Sequence, residues 1–265
     1  MTDYDARCLI ETAHALADAA REATLMYFRS AALGVENKAG QGFDPVTRAD
    51  RACEAAMRAI LAERRPDDGI LGEELDNIPS KSGLTWVLDP IDGTRGFMCG
   101  TPTWGVLIGL ADATGPILGV IDQPYIGERF LGGFGRAEFT GPHGGRALAT
   151  AAPRPLSEAS VFSTFPEVGS PEEGRAFAAL AGQARLVRYG MDCYAYALVA
   201  MGHVDLVVEA GLHPYDIQAP IAVVEASGGI VTDWQGGPAH GGGRVIAAAN
   251  PRVHAEALAI LSAAA

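Results

Sequence analysis

The 265-residue chain is 48% apolar and 20% charged, a globular balance with length for one large domain or two closely packed ones. Its 20 Lys and Arg against 32 Asp and Glu give a net charge of −12, which excludes the basic surface that a nucleic-acid or anionic-membrane partner selects. Cys8, Cys53, Cys99 and Cys193 are scattered without C-x-x-C or Cys/His ligand spacing, so a zinc finger or redox pair is excluded and reduced thiols are expected. The start MTDYDARC is acidic and no apolar run approaches ~18 residues, so neither signal peptide nor membrane span is expected and the expected compartment is the cytoplasm.

An amphipathic helix is predicted over 3–29, where Ile10, Ala13, Ala17, Ala20 and Thr24 form one stripe flanked by Leu9, Leu16 and Leu25. GQGFDPVTRAD leads into a second helix over 47–65, with Cys53, Met57, Ile60 and Leu61 inward and Pro66 as its stop. Read from the residues alone, Asp44 and Asp50 cap this helix. Ile70-Leu71 then runs into Gly72-Glu73-Glu74. Trp86, Val87 and Leu88 read as a short buried strand that Asp89-Pro90 ends, because proline offers the ladder no N–H. Asp92-Gly93-Thr94 has turn chemistry, with a Thr whose hydroxyl can cap the next element. Asp89 and Asp92 would then converge beyond the strand's carboxyl end. Such a pair repels unless a proton or cation lies between, and hard oxygen ligands suit Mg²⁺. As a bare D-x-x-D, the same stretch also reads as an Asp-rich surface turn.

Apolar runs at 104–110 and 117–122, joined by ADATGP, predict a hairpin, and 129–134 adds a strand. Residues 141–145 read as a loop, and the Ala/Pro composition at 151–155 marks a boundary between an N-terminal α+β domain, 1–150, and a C-terminal α/β domain, 151–265. Beyond it, strands are predicted at 160–165, 185–189, 204–209, 230–233 and 245–249. Helices are predicted at 171–184, 192–201, 214–226 and after Asn250-Pro251, which together imply a mostly parallel or mixed sheet. The six His residues are isolated, with no H-E-x-x-H, Walker A or G-x-S-x-G, and His213 near Asp216 reads as a surface histidine.

GEE, then WVLDPIDGT, then Tyr215-Asp216 at a helix start resemble, in order and over nearly the whole chain, the inositol monophosphatase family of metal-dependent phosphatases. The resemblance implies an α+β / α/β fold, a layered αβαβα sandwich with its site between the halves, and a homodimer. It also implies that Glu73, Asp89 and the Ile91 carbonyl hold one Mg²⁺ while Asp89, Asp92 and Asp216 hold a second, so that bound cations resolve the conflict between an acidic chain and a phosphate substrate. Asp44 and Thr47 would lie near a third metal or the attacking water. Thr94 beside Glu73 would orient that water and help take its proton, and Gly93 and Thr94 would offer amides to the phosphate.

RGFMCGTPTWGVLIGL, GVIDQPYIGERFLGG and the run YGMDCYAYALVAMGHVDLVVEAGLHPYDIQAPIAVVEASGG resemble the family's histidinol-phosphate phosphatase branch. Where the inositol-preferring branch has Gly-Thr-Ala-Ala, Trp-Asp and an Asn before Phe97, this chain has Met191-Asp192-Cys193-Tyr194, Tyr215-Asp216 and Arg95-Gly96. The resemblance makes Asp192 a candidate partner for the substrate ammonium and Glu209 a second substrate contact, while the residues alone also allow Asp192 to be a helix cap. The expected activity is Mg²⁺-dependent hydrolysis of histidinol phosphate. The alternatives are an inositol-1-phosphatase, a broad sugar-phosphate phosphatase, or a non-enzymatic metal-binding scaffold.

Overall fold

The computed structural model describes residues 3–30, 35–37 and 45–263. The first helix, α1 (Asp3–Leu25), is followed by a small antiparallel pair, β1 (Val35–Asn37) and β2 (Pro45–Thr47), and by α2 (Arg48–Arg64). Then come β3 (Gly69–Gly72), β4 (Thr85–Asp92), the short α3 (Thr94–Cys99), β5 (Gly105–Asp112), β6 (Gly115–Gln123), β7 (Glu128–Gly133), β8 (Arg136–Gly141) and β9 (Gly144–Ala147). β3 to β9 form one seven-stranded sheet in chain order, parallel at β3–β4 and antiparallel elsewhere. The second half contains β10 (Ser160–Ser163), α4 (Pro171–Ala181), β11 (Leu186–Tyr189), α5 (Tyr194–Ala200), β12 (Leu206–Leu212), α6 (Pro214–Ala226), β13 (Ile230–Thr232), β14 (Gly243–Ala248) and α7 (Pro251–Leu261). Its mixed five-stranded sheet has the order β11-β10-β12-β14-β13.

The period of two along each strand builds the layers. On β5 and β6, Val106, Ile108, Leu110, Leu118 and Val120 face α1 and α2 in one core, whereas Leu107 and Ile121 turn to the opposite core beneath α5 and α6. The smaller sheet repeats the pattern: Val207, Val245 and Ala247 join the α5/α6 core, and Leu206, Val208, Ile246 and Ala248 face α4 and α7. The result is the expected αβαβα sandwich, with a middle core to which both halves contribute. Among the described residues, no helix is long and apolar enough to cross a membrane.

The central layer is close to the large sheet because two strands present glycine there. A methyl on Gly119 of β6 would lie 3.0 Å from the Ala219 Cα and carbonyl carbon, and one on Gly132 of β7 would meet the Ala222 carbonyl carbon at 2.9 Å. Backbone therefore rests on backbone along α6, which fixes the height of that helix above the sheet.

Two expectations need correcting. β4 does not end at Asp89-Pro90 but continues to Asp92, and the expected loop at 141–145 is the turn of a β8–β9 hairpin. Pro90 is accommodated by a bulge: Asp89 pairs with Leu107 and Asp92 with Gly105, three residues on β4 against two on β5.

Candidate active site

The bulge is what brings the first two acids together. In a regular strand, residues three apart point to opposite faces; one extra residue restores a common side, so Asp89 and Asp92 both turn toward the start of α6. Asp216 waits in the first turn of that helix, its carboxylate held by the His213 amide at 2.6 Å. Ligand oxygens of Asp89, Asp92 and Asp216 all lie within 4.8 Å of one another.

Each acid is locally anchored. Asp89, 2% exposed, accepts from the Ile91 amide at 3.0 Å, and Asp92 accepts from the Cys193 amide at 2.5 Å, which ties β4 to the start of α5. Withdrawal from water pushes all three carboxyls above the ordinary range; repulsion from Glu73, Asp92 and Asp216 adds to this for Asp89, and from Asp192 and Asp216 for Asp92, while the His213 amide opposes it at Asp216. The group is thus short of positive charge. A cation would resolve it, and an all-oxygen donor set at this separation fits a hard divalent ion.

Glu73 lies outside the 4.8 Å set, but its charge is the largest of those raising Asp89. Thr94 opens α3 and donates to the Ile91 carbonyl at 3.1 Å, with Gly93 in the left-handed region just before it. Thr47 is buried as the N-cap of α2: it accepts from the Ala49 amide at 3.1 Å, and its amide donates to Asp50 at 2.8 Å. Asp50, read from sequence as a cap, performs that role and also adds to the charge raising Asp89. Asp44 lies outside the described residues. His213 is exposed and stacks on Tyr215 with ring centroids 5.1 Å apart. Cys193 is kept as a thiol, first by burial and then by Asp92, so it supplies no thiolate nucleophile.

A cavity of about 290 Å³ opens from this cluster, bounded at the acid end by Asp92, Gly93, Thr94 and Asp216. Asp192 and Glu209 also line it. Asp192 does not cap α5, which starts later at Tyr194; with φ +47 it lays its carboxylate on α3 instead, where side chains on Gly93 and Gly96 would meet it at 2.8 and 3.5 Å. The tight neighbour of Gly96 is the Thr101 hydroxyl, which an added methyl would meet at 2.8 Å, whereas the 3.5 Å approach to Asp192 is an ordinary contact. Burial pushes Asp192 up to about 6 against the pull of Arg95, and pushes Glu209 up to about 7. Glu209 accepts from the Thr164 amide at 2.7 Å and its hydroxyl at 2.9 Å. The site therefore joins a metal-competent acid cluster to a cavity wall that carries two further carboxyls. Sequence reasoning missed the place of Arg95 and Phe165 in the cavity lining; Arg95 stands out in the sequence only as a departure beside the acid motif, and Phe165 stands in a segment without a chemical motif.

The model of the inositol monophosphatase family matches residues 5–264. A chloroplastic bifunctional phosphatase of Arabidopsis thaliana is 41% identical over 84% of this chain, which spans 63% of that relative's length. A histidinol-phosphatase of Mycobacterium tuberculosis is 37% identical, covering 94% of this chain and 96% of the relative. The solved structure of an inositol monophosphatase from Zymomonas mobilis superposes with a TM-score of 0.85 at 38% identity, covering 99% of this chain and 100% of that one. With a family model matched over nearly its whole length, the chain belongs to the inositol monophosphatase family of phosphatases.

Proposed function

We propose that the chain is a Mg²⁺-dependent phosphatase of histidinol phosphate. The carrying observation is the convergence of Asp89, Asp92 and Asp216 within 4.8 Å, beside a cavity whose lining holds two further carboxylates, Asp192 and Glu209. The family is metal-dependent, and the identity to a histidinol-phosphatase over nearly the whole chain supports the choice of substrate.

Asp89, Asp92 and Asp216, with Glu73 and the Ile91 carbonyl, would hold the cation. When bound, it supplies positive charge to the phosphoryl oxygens and lowers the pKa of water. The chain's own groups supply orientation. Because the Thr94 hydroxyl donates to Ile91, its oxygen lone pairs are left to accept from a water, and Glu73 is the base to which that water's proton passes. The backbone at Gly93 and Thr94 bounds the phosphate end. Asp192 and Glu209 pair with the ammonium of the alcohol, fixing the ester in one direction. An inositol phosphate carries no cation for these two carboxylates.

An inositol-1-phosphatase is the second reading, favoured by the match to the Zymomonas mobilis structure. Phosphate release from histidinol phosphate, inositol 1-phosphate and glycerol 2-phosphate, with Mg²⁺ and with chelator, separates the readings. We expect the highest kcat/KM on histidinol phosphate and no release in chelator. An equal or higher value on inositol 1-phosphate refutes the substrate choice, and no release from any ester returns the chain to a metal-binding scaffold.

A further inference from the structure

The alcohol end of the cavity is not uniformly anionic. Phe165 lines it while remaining 43% exposed, and the Arg95 guanidinium lies over its ring, 5.1 Å from the centroid. The ring is held in place by the segment before it. Thr164 bonds Glu209 through both its amide and its hydroxyl, and the Ser163 hydroxyl donates to the Phe165 carbonyl at 3.3 Å. The three hydrogen bonds fix the backbone that carries the phenyl ring, and the guanidinium packs over the ring itself, so the cavity is offered a preorganised surface. Its neighbours are a guanidinium on the ring and, in the lining of the same cavity, the Asp192 and Glu209 carboxylates.

We propose that Phe165, backed by Arg95, is a specificity platform on which a flat, uncharged ring of the substrate alcohol lies while Asp192 and Glu209 take a cation borne by the same alcohol. The pocket is thereby matched to phosphomonoesters of ring-bearing amino alcohols. Arg95 disfavours a second positive charge at the platform, so the ring is taken neutral and the cation goes to the carboxylates. The inference deepens the proposed phosphatase reading and rests on it for the direction of the ester, but the preference for a ring is separable from the identity of the natural alcohol.

The contact is made before and during reaction alike, so it belongs in KM rather than kcat. Phe165→Leu keeps apolar bulk without a π face, and Phe165→Tyr keeps the face; as Phe165 is 43% exposed, neither disturbs a packed core. Phenyl phosphate has the ring without the ammonium, and glycerol 2-phosphate has neither. We expect Phe165→Leu to raise KM about three- to tenfold on phenyl phosphate and histidinol phosphate, to leave glycerol 2-phosphate unchanged, and Phe165→Tyr to restore the wild-type values. An equal effect on all three esters, or no effect on phenyl phosphate, overturns the platform. Failure of the wild type on histidinol phosphate alone overturns the substrate reading and leaves the platform standing on phenyl phosphate. Should no ester turn over, calorimetric binding of phenyl phosphate and glycerol 2-phosphate in Mg²⁺ replaces the rates, and equal affinity overturns the proposal.

Discussion

Gly119→Ala tests how the fold sets the site. The added methyl would be placed against the Ala219 carbonyl group and 3.0 Å from its Cα. These are backbone atoms of α6, so no rotamer change makes room, and the helix must lift from β6. Overpacking of this kind costs about 1–3 kcal/mol, or roughly 2–6 °C in Tm for a chain of this size. The helix carries Asp216 in its first turn, so the lift separates that carboxylate from Asp89 and Asp92, and an error near 1 Å in such a constellation costs about a hundredfold in rate. Gly174→Ala in α4 is the control of opposite sign, since its nearest neighbour is the Val168 carbonyl at an ordinary 3.6 Å. That change should stabilise by about 0.5–1 kcal/mol with activity unchanged. Calorimetric melting, Mg²⁺ titration and phosphate release on both variants form the assay. A Gly119→Ala protein with wild-type Tm and wild-type rate would refute the claim that glycine contact positions Asp216.

Metal-free stability should fall as pH rises. Burial lifts Glu209 from an ordinary 4.5 to about 7, so the folded state holds its proton more tightly than the unfolded one, and this contribution of about 3 kcal/mol is present below pH 4.5 and lost by about pH 7. Melting in chelator should show that decline, Glu209→Gln should lessen it while Asp89, Asp92, Asp192 and Asp216 keep the rest, and Mg²⁺ should raise Tm more at pH 7.5 than at pH 5; a pH-independent Tm contradicts the burial argument. Asp192→Asn should lower kcat/KM for histidinol phosphate about ten- to a hundredfold while sparing glycerol 2-phosphate, and an equal loss on both would reduce Asp192 to a pocket wall. Thr94→Ala, which loses the γ-methyl and the hydroxyl bonded to Ile91 but no charge, should impair turnover less than Asp89→Asn and leave Mg²⁺ affinity intact, as read by calorimetric titration.

Many of the elements were legible as apolar patterns: the stripe from Ile10 to Thr24 is buried as α1, and the run from Pro214 to Ala226, opened by proline and apolar through 219–224, is α6 residue for residue. The acids of the site were legible as motifs. What the sequence hid is tertiary. Pro90 looks like a strand end, yet a bulge on β4 carries the ladder past it and turns Asp89 and Asp92 the same way. The sequence marks only the loop at 141–145 and not β8 and β9 around it, because these strands are short, glycine-flanked and largely exposed, and form only by pairing at the sheet edge. Asp192 reads as a cap because it precedes a helix, but its left-handed backbone sends the carboxylate across to Gly93 and Gly96, a contact between segments about a hundred positions apart. Nothing local in Gly119 or Phe165 announces the helix or the cavity that each meets.

If Asp89, Asp92 and Asp216 hold the cation that drives ester hydrolysis, activity must depend on both the metal and the charge of the cluster. Phosphate release from histidinol phosphate, by protein stripped with chelator and then titrated with Mg²⁺, reads both when run in parallel on the wild type and Asp89→Asn. This substitution removes a charge without changing side-chain volume, and relief of repulsion within the cluster should leave the stripped variant at least as stable as the wild type. The predicted result is no release from either stripped protein, full recovery of the wild type with added Mg²⁺, and no recovery of a folded Asp89→Asn at any Mg²⁺ concentration. Turnover in chelator, or wild-type turnover by Asp89→Asn, would contradict it.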